Sequence, residues 1–149
     1  ENEVFFIRKA IPNSLKAIVV IPNRAISTNL SRKTLPFKYN KEDAIFNVSH
    51  SSLLTAAFMS EDWRMLKKAS KDRFHQYYRM KQMPELFAVQ KVALRSGALM
   101  STLSGSGSTF FNIVYSKDAP RVVKKLQENF PHFKIFSCDF DNDGVSIED

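Results

Sequence analysis

A glycine-rich loop is the first segment of the chain whose residue types could bind a ligand. The stretch "LMSTLSGSGSTFFNIVY", residues 99–115, holds Gly105 and Gly107, two of the 4 glycines in the chain. Hydroxyl side chains lie around them at Ser104, Ser106, Ser108 and Thr109. Small side chains and exposed backbone N–H groups suit a phosphate group or the close approach of another backbone. An ordinary connection between two strands is the alternative.

A second candidate segment is "DRFHQYYR", residues 72–79. Arg79 could hold a carboxylate or a phosphate with its guanidinium fork, and His75 could donate to the same ligand or orient it. A solvated surface segment with two half-buried tyrosines is the alternative, because most polar clusters are structural.

The third candidate segment is "ISTNLSRKTLP", residues 26–36, in which Arg32 lies one helical turn after Thr28. Arg32 would suit an anion if it were buried, and an exposed helix arginine is the alternative. The sequence contains no nucleophile–base pair, Walker loop, GxSxG elbow or HExxH motif. The residues alone therefore indicate an anion-binding α+β domain without a catalytic residue.

Length and charge limit the function classes. The 149 residues are enough for one hydrophobic core, so we expect a single domain over residues 1–149. The 22 Lys and Arg residues against 15 Asp and Glu favour anionic partners. The basic residues are scattered and no ribonucleoprotein motif accompanies them, so we do not expect a nucleic-acid partner.

Cysteine usage and hydropathy give further expectations. The single cysteine, Cys138 in "FKIFSCDF", has no CxxC or His-rich neighbourhood, which indicates a buried apolar role and a reducing, cytoplasmic setting. No apolar run is long enough for a membrane helix. The acidic tail "DFDNDGVSIED" lacks the glutamate that closes an EF-hand loop, so we expect no metal site.

The apolar pattern predicts strands and helices in mixed order. The predicted strands cover residues 3–9, 15–22, 98–104, 109–115 and 133–140, with a short edge at 145–148. The predicted helices cover residues 27–35, 40–60, 61–70, 83–97 and 118–130. Pro84 in the first turn and Gly97 at the carboxyl-terminal cap delimit the fourth of these helices. The order favours an α+β fold, a ferredoxin-like antiparallel sheet with helices packed on one face.

In this order and spacing, the segments resemble the carboxyl-terminal half of the homoserine kinase family, within the GHMP kinase superfamily. "STNLSRKTLP" is similar to that family's ST-x-x-x-R-x-x-LP segment, and "DRFHQYYR" to its D-x-x-H-x-x-x-R segment. "DAIFNVSHSSLLTAAF" is similar to the helix between them, and "LSGSGSTFF" to the glycine-rich third motif of the superfamily. Two departures are Ser108, where the loop usually has proline, and Gln76-Tyr77, where Glu-Pro is common.

The resemblance implies an activity and roles for several residues. The whole enzyme would transfer the γ-phosphoryl group of ATP, with Mg²⁺, to the side-chain hydroxyl of L-homoserine, giving O-phospho-L-homoserine for threonine biosynthesis. Arg32 and Arg79 match positions that hold the amino-acid substrate, and His75 would bind it too or brace Arg79. The loop from Ser104 to Ser108 would support the active-site cleft.

The resemblance also implies a missing partner. The superfamily's amino-terminal ATP-binding domain, with its phosphate loop and magnesium-binding acid, has no counterpart in these residues. We therefore expect the chain to need its own amino-terminal domain, to hold no tightly bound cofactor and to be inactive alone; its exposed face could also pair as a homodimer. The alternative is a stand-alone ferredoxin-like module that binds an amino acid or RNA without catalysis.

Overall fold

The computed structural model describes residues 3–144 as four strands and six helices. The strands are β1 (Leu15–Ile21), β2 (Met100–Leu103), β3 (Phe110–Tyr115) and β4 (Lys134–Cys138). The helices are α1 (Thr28–Lys33), α2 (Lys41–Met59), α3 (Leu66–Ala69), α4 (Gln76–Met80), α5 (Glu85–Ser96) and α6 (Ala119–Asn129). Short 3₁₀ turns, Trp63–Met65 and Ser116–Asp118, precede α3 and α6.

The strands form one sheet in the order β2-β3-β1-β4, and every neighbouring pair is antiparallel. The central strand β1 pairs with β3 on one side and with β4 on the other, so that Val19 lies opposite both Phe111 and Phe136. Helices α1 to α5 connect β1 to β2, the glycine loop joins β2 to β3, and α6 connects β3 to β4. This topology confirms the predicted ferredoxin-like α+β fold.

The main core lies between one face of the sheet and the helices α5 and α6. Ile18 of β1 and Phe110 of β3 point to this face and are fully buried. They meet Leu86 and Val89 of α5 and Leu126 of α6, which are also fully buried. The period of two along the strands and the helical spacing along α5 and α6 put these apolar residues on facing surfaces.

A second, smaller core covers part of the opposite sheet face, so helices pack on both faces, whereas the sequence predicted helices on one face alone. Leu15 and Ile113 belong to it, and they pack with Trp63 and Leu66 from the turn and helix that follow α2. The carboxyl-terminal end of α2 joins through Ala57, which is 2% exposed. Residues 61–70, predicted as one helix, therefore divide into a 3₁₀ turn and α3, which bring Trp63 under the sheet.

The ends of the helices follow local side-chain chemistry. Asn40 precedes α2, and its side-chain oxygen accepts a hydrogen bond from the backbone N–H of Asp43 at 2.7 Å. Glu42 and Asp43 add negative charge to the first turn, which the helix dipole favours. Gly97 ends α5 with a φ of 114°, so the predicted glycine cap is confirmed.

Two further sequence predictions are wrong, because the residues concerned have no neighbouring element that pairs with them or covers them. Residues 3–9 form no strand, and the apolar side chains from Val4 to Ile7 are 79% to 85% exposed. Strand-forming residue types need a neighbouring strand, and both edges of β1 are already occupied by β3 and β4. Cys138 is exposed rather than buried, because only Ile135 of the edge strand β4 is covered. The predicted edge at 145–148 lies outside the described residues.

The core predicts a strong contrast between two positions of α6. Replacing Leu126, which is fully buried, by alanine removes packed methyl groups and should lower the free energy of unfolding by about 2–5 kcal/mol. The Lys124→Ala variant changes an exposed residue of the same helix and should stay within about 0.5 kcal/mol of the parent. Urea denaturation measures both, and equal effects would contradict the assigned orientation of α6.

Candidate functional site

The glycine loop is a compact turn between β2 and β3. The N–H of Ser104 donates to the carbonyl of Thr109 at 2.9 Å, and the N–H of Gly107 donates to the carbonyl of Ser104 at 3.0 Å. Gly105 has a φ of 56° and Gly107 a φ of 90°, and both values lie in the left-handed region that favours glycine. The conformation of the turn itself therefore accounts for the two glycines.

Helix α1 packs against this loop through two hydroxyl side chains. The Oγ of Ser31 donates to the carbonyl of Ser106 at 2.8 Å, and Ser31 is fully buried. The Oγ1 of Thr28 lies 3.2 Å from the Oγ of Ser106. Thr28 and Ser31 are three residues apart on one helix face, and this spacing is the sequence signal by which Ser31 could have been found.

Helix α4 reaches the same loop through Arg79. The Nη1 of Arg79 donates to the carbonyl of Gly105 at 2.9 Å, and this hydrogen bond brings the arginine to the loop. The Nε of Arg79 is buried and has no acceptor within residues 3–144. Since Nη1 is occupied, the Nε and Nη2 edge remains the one with which the guanidinium could bind a carboxylate side-on.

Further side chains hold the two ends of the loop. The Oε1 of Gln76 accepts from the N–H of Leu103 at 3.3 Å, where β2 ends. The Oγ of Ser108 donates to the carbonyl of Arg24 at 2.8 Å, and Ser108 is 6% exposed. The residues that depart from the family pattern, Ser108 and Gln76, therefore both make hydrogen bonds that position the loop.

Asp72 fixes the turn that begins α4. Its carboxylate accepts hydrogen bonds of 2.5 to 3.0 Å from the N–H groups of Phe74, His75 and Gln76 and from the side-chain amide of Asn47. Burial by itself would raise the pKa of the Asp72 carboxyl, but these hydrogen bonds outweigh it and hold the pKa below its ordinary value of 3.8. Asp72 thereby ties the start of α4 to α2.

The side chains of the other two predicted site residues make fewer polar contacts than Arg79 does. The His75 Nδ1 lies 3.6 Å from an Asp72 oxygen, and its side chain is half exposed with no hydrogen bond to Arg79 in the described part of the chain. Arg32 is exposed on α1, next to Ser31, and its side chain makes no hydrogen bond to another described residue. The structure thus brings α1, α4 and the glycine loop together, with Arg79 in contact and Arg32 beside the contact.

Tyr39, in the segment after α1, contacts the turn that precedes α4. Its hydroxyl donates to the carbonyl of Phe74 at 2.8 Å, and its ring lies against the Phe74 ring. Burial, and then the nearby Tyr78 and Asp72, raise the pKa of the Tyr39 hydroxyl, while Arg79 lowers it. The hydroxyl therefore stays protonated and keeps its hydrogen bond near neutral pH.

Among residues 3–144, no three His, Cys, Asp or Glu side chains group closely enough to hold a metal ion. Within the same residues, no helix has both the length and the apolar composition that a membrane span requires.

The chain matches the model of a known protein family. The model for the carboxyl-terminal domain of GHMP kinases matches residues 54–132, more than half of the chain. The chain belongs to the GHMP kinase C-terminal family. The matched range begins in α2, contains Arg79 and the glycine loop, and ends just before β4.

Two curated relatives of this GHMP kinase domain are both named homoserine kinase. The homoserine kinase of Aliarcobacter butzleri is 70% identical over 99% of the chain, which corresponds to 50% of that protein. The homoserine kinase of Wolinella succinogenes is 58% identical over 100% of the chain and 51% of that protein. The chain therefore spans about half the length of the curated relatives it matches, and they do not favour a stand-alone binding module.

A solved structure agrees on the fold. The crystal structure of homoserine kinase from Cytophaga hutchinsonii superposes with a TM-score of 0.84 at 20% identity. The superposition covers 91% of this chain and 45% of that one. At this identity the likeness supports the α+β architecture alone.

The hydrogen bonds of Asp72 predict an acid-dependent contribution to stability. Folding lowers the pKa of the Asp72 carboxyl, so its ionised form stabilises the folded state. This stabilisation is complete above the ordinary pKa and is lost as the pH falls through the lowered pKa. Asp72→Asn should cost about 1–3 kcal/mol near neutral pH, and the difference from the parent should shrink in acid. Denaturation curves over a pH series measure it.

Asp62→Asn is the matched control, because Asp62 is exposed and its side chain makes no hydrogen bond to a described residue. A constant gap between the Asp72→Asn variant and the parent at every pH would contradict the role given to the Asp72 charge.

The contact between α1 and the loop gives another prediction. Ser31→Ala removes this part-buried hydrogen bond to the carbonyl of Ser106 and should lower the free energy of unfolding by about 1 kcal/mol. The N–H of Gly107, inside the loop, should then exchange faster with solvent. Ser49→Ala, an exposed change on α2, should alter neither quantity. Unchanged exchange at Gly107 in the Ser31 variant would show that α1 does not hold the loop.

Proposed function

We propose that the protein to which this chain belongs is a homoserine kinase, which transfers the γ-phosphoryl group of ATP to the side-chain hydroxyl of L-homoserine in threonine biosynthesis. The observation that carries this proposal is the 70% identity, over nearly the whole chain, to a protein named homoserine kinase. Membership of the GHMP kinase C-terminal family supports the reaction class. A biosynthetic kinase of this kind would work in the cytoplasm.

Arg79 is the strongest candidate for the substrate anchor. Its guanidinium is held by the Gly105 carbonyl, its Nε is buried without an acceptor in the described residues, and a carboxylate could supply that acceptor. A planar fork that is already oriented loses little entropy when a carboxylate binds. The α-carboxylate of L-homoserine is the group that we assign to it.

Arg32 would act as a second, more mobile anchor. It lies on α1, whose Thr28 and Ser31 contact the loop, and its exposed guanidinium is available to a ligand in the cleft beside the loop. His75 has a smaller role in this proposal, since Asp72 and not Arg79 is its neighbour. The two arginines would fix the amino acid so that its hydroxyl points at the phosphoryl donor.

Positioning is the main contribution of this domain to phosphoryl transfer. The loop from Ser104 to Ser108 is held at both ends and in the middle, so it could form one rigid wall of the cleft. Holding the hydroxyl in line with the phosphoryl group, with its charge stabilised, supplies most of the rate enhancement in such reactions. No residue of this chain needs to act as a base.

ATP and Mg²⁺ would bind to a second domain. The relatives are about twice as long as this chain, and the resemblance implies an amino-terminal phosphate loop and magnesium-binding acid there. We infer that the domain described here supplies the substrate anchors and the glycine loop, and that it contacts this second domain. The chain alone would show no kinase turnover.

Steady-state kinetics of the intact protein test the anchors. Arg79→Lys keeps the charge but removes the fork, and it should lower kcat/KM for L-homoserine by roughly 100-fold while KM for ATP stays near the parent value. Arg32→Ala should show a smaller loss with the same pattern. Arg95→Ala, an exposed change on α5, is the control and should retain full activity.

Two outcomes would contradict the proposal. If both anchor variants keep the parent's kcat/KM for L-homoserine, the arginines are structural or solvated. If the parent shows no ATP-dependent phosphorylation of L-homoserine at all, the proposed reaction itself is wrong. Turnover by the 149-residue chain alone would overturn only the assignment of ATP binding to a second domain.

A further inference from the structure

A concave surface lies on the far side of α4 from the glycine loop. It is a groove of about 530 Å³ between α3, α4 and α5, with the edge strand β2 as its floor. Arg79 and the loop residues do not line it. Its volume falls within the range of roughly 300–1,000 Å³ that is typical of small-molecule sites.

The floor of the groove carries an unused hydroxyl group. Ser101 is 2% exposed, and its Oγ has no hydrogen-bond partner within residues 3–144. Its backbone carbonyl, in contrast, accepts from the Nε2 of Gln90 at 2.9 Å. Buried hydroxyl groups without partners are uncommon in folded proteins, so an acceptor placed in the groove would satisfy this one.

One wall of the groove is apolar and aromatic. Tyr77 and Phe87 meet edge to face, with their ring centroids 5.9 Å apart, and Met80 and Leu94 extend the wall. Tyr77 is 51% exposed, and the Lys81 ammonium lies over its ring at 4.3 Å from the centroid. A flat apolar group could cover the part of the ring that stays exposed and gain the free energy of its burial.

The opposite wall is cationic. Lys67 of α3 and Lys71, which follows the end of that helix, line it, and neither forms an ion pair with a residue of the described part of the chain. Arg73 also lines the groove, but its charge is used by Asp43 at 3.1 Å and by the Phe46 ring. Two lysines beside an open groove favour an anion.

One acid, Asp72, also lines the groove and would repel an anion if its charge were free. Its carboxylate accepts four hydrogen bonds from the backbone and from Asn47, so its charge is compensated within the protein. The two unpaired lysines therefore determine the charge that a ligand meets.

We infer that this groove binds a small anion with an aromatic body, of the aryl-carboxylate class, separately from the amino-acid and ATP sites. The ring lies against Tyr77 and Phe87, and the carboxylate lies toward Lys67 and Lys71. The hydroxyl of Ser101 supplies the remaining hydrogen bond. The inference concerns binding alone and does not depend on the proposed kinase reaction.

Isothermal titration calorimetry of the intact protein with 3-phenylpropionate tests this inference. We expect saturable binding with a Kd near or below about 1 mM. The uncharged 3-phenylpropanamide, which has the same shape, should bind at least roughly fivefold more weakly because it lacks the charge that the lysines favour. Propionate, without the ring, should bind more weakly too.

Variants locate the binding. Lys67→Gln/Lys71→Gln and Ser101→Ala should each weaken 3-phenylpropionate binding, the first by roughly fivefold. Lys117→Gln/Lys124→Gln removes the same charge from exposed residues that do not line the groove, and it should leave binding unchanged. Thermal denaturation of each variant checks that it is folded.

Several results would overturn the inference. Absence of saturable binding by the folded parent would do so, as would equal binding of the acid and the amide. An equal loss in the two double-lysine variants would show that the overall charge, and not this groove, attracts the anion.

Discussion

The candidate site depends on the restraint of one glycine loop by side chains from elsewhere in the chain. Ser31 from α1 and Arg79 from α4 donate to the neighbouring carbonyls of Ser106 and Gly105, which have no other donor among residues 3–144. Hydrogen bonds to backbone carbonyls fix a loop without demanding a particular loop side chain. Three segments that are distant in sequence thereby become one surface.

The sheet makes these contacts possible. The strands β2 and β3 form a hairpin, so the loop is held at both ends by an antiparallel ladder. Strand β1 pairs with β3 and leads into α1, and this pairing brings α1 to the loop end of the hairpin. The main core, closed by α5 and α6, keeps this arrangement rigid, as a site that works by positioning requires.

Asp72 and Gln76 connect the glycine-loop site with the groove. Asp72 caps the turn before α4, and Gln76 holds the end of β2 by accepting from Leu103. Both residues also line the groove on the far side of α4. Helix α4 therefore has Arg79 and the glycine loop on one side and the aromatic wall of the groove on the other, so the two surfaces share a single short helix.

Local sequence patterns determined much of this protein. Period-two apolar residues predicted β1 and β3, and helical spacing and caps predicted α5 and α6. Residue types made the glycine loop and the two arginines candidates, and the family resemblance implied their roles. Local patterns failed at residues 3–9, because a strand exists only if another strand pairs with it. They also missed α4, which is one short turn whose stability comes from Asp72 and from packing.

Only the tertiary structure decided which candidate residues meet. In the sequence, Arg32 and Arg79 are equivalent candidates for an anion-binding residue. In the structure, Arg79 contacts Gly105 while Arg32 is exposed. This difference arises because the rotation and the burial of each helix depend on the whole fold. Spacing places Ser31 on the same helix face as Thr28, but its hydrogen bond to a carbonyl 75 residues away follows only from the tertiary structure. Spacing along the chain therefore determines which groups are present, and long-range packing determines which of them touch.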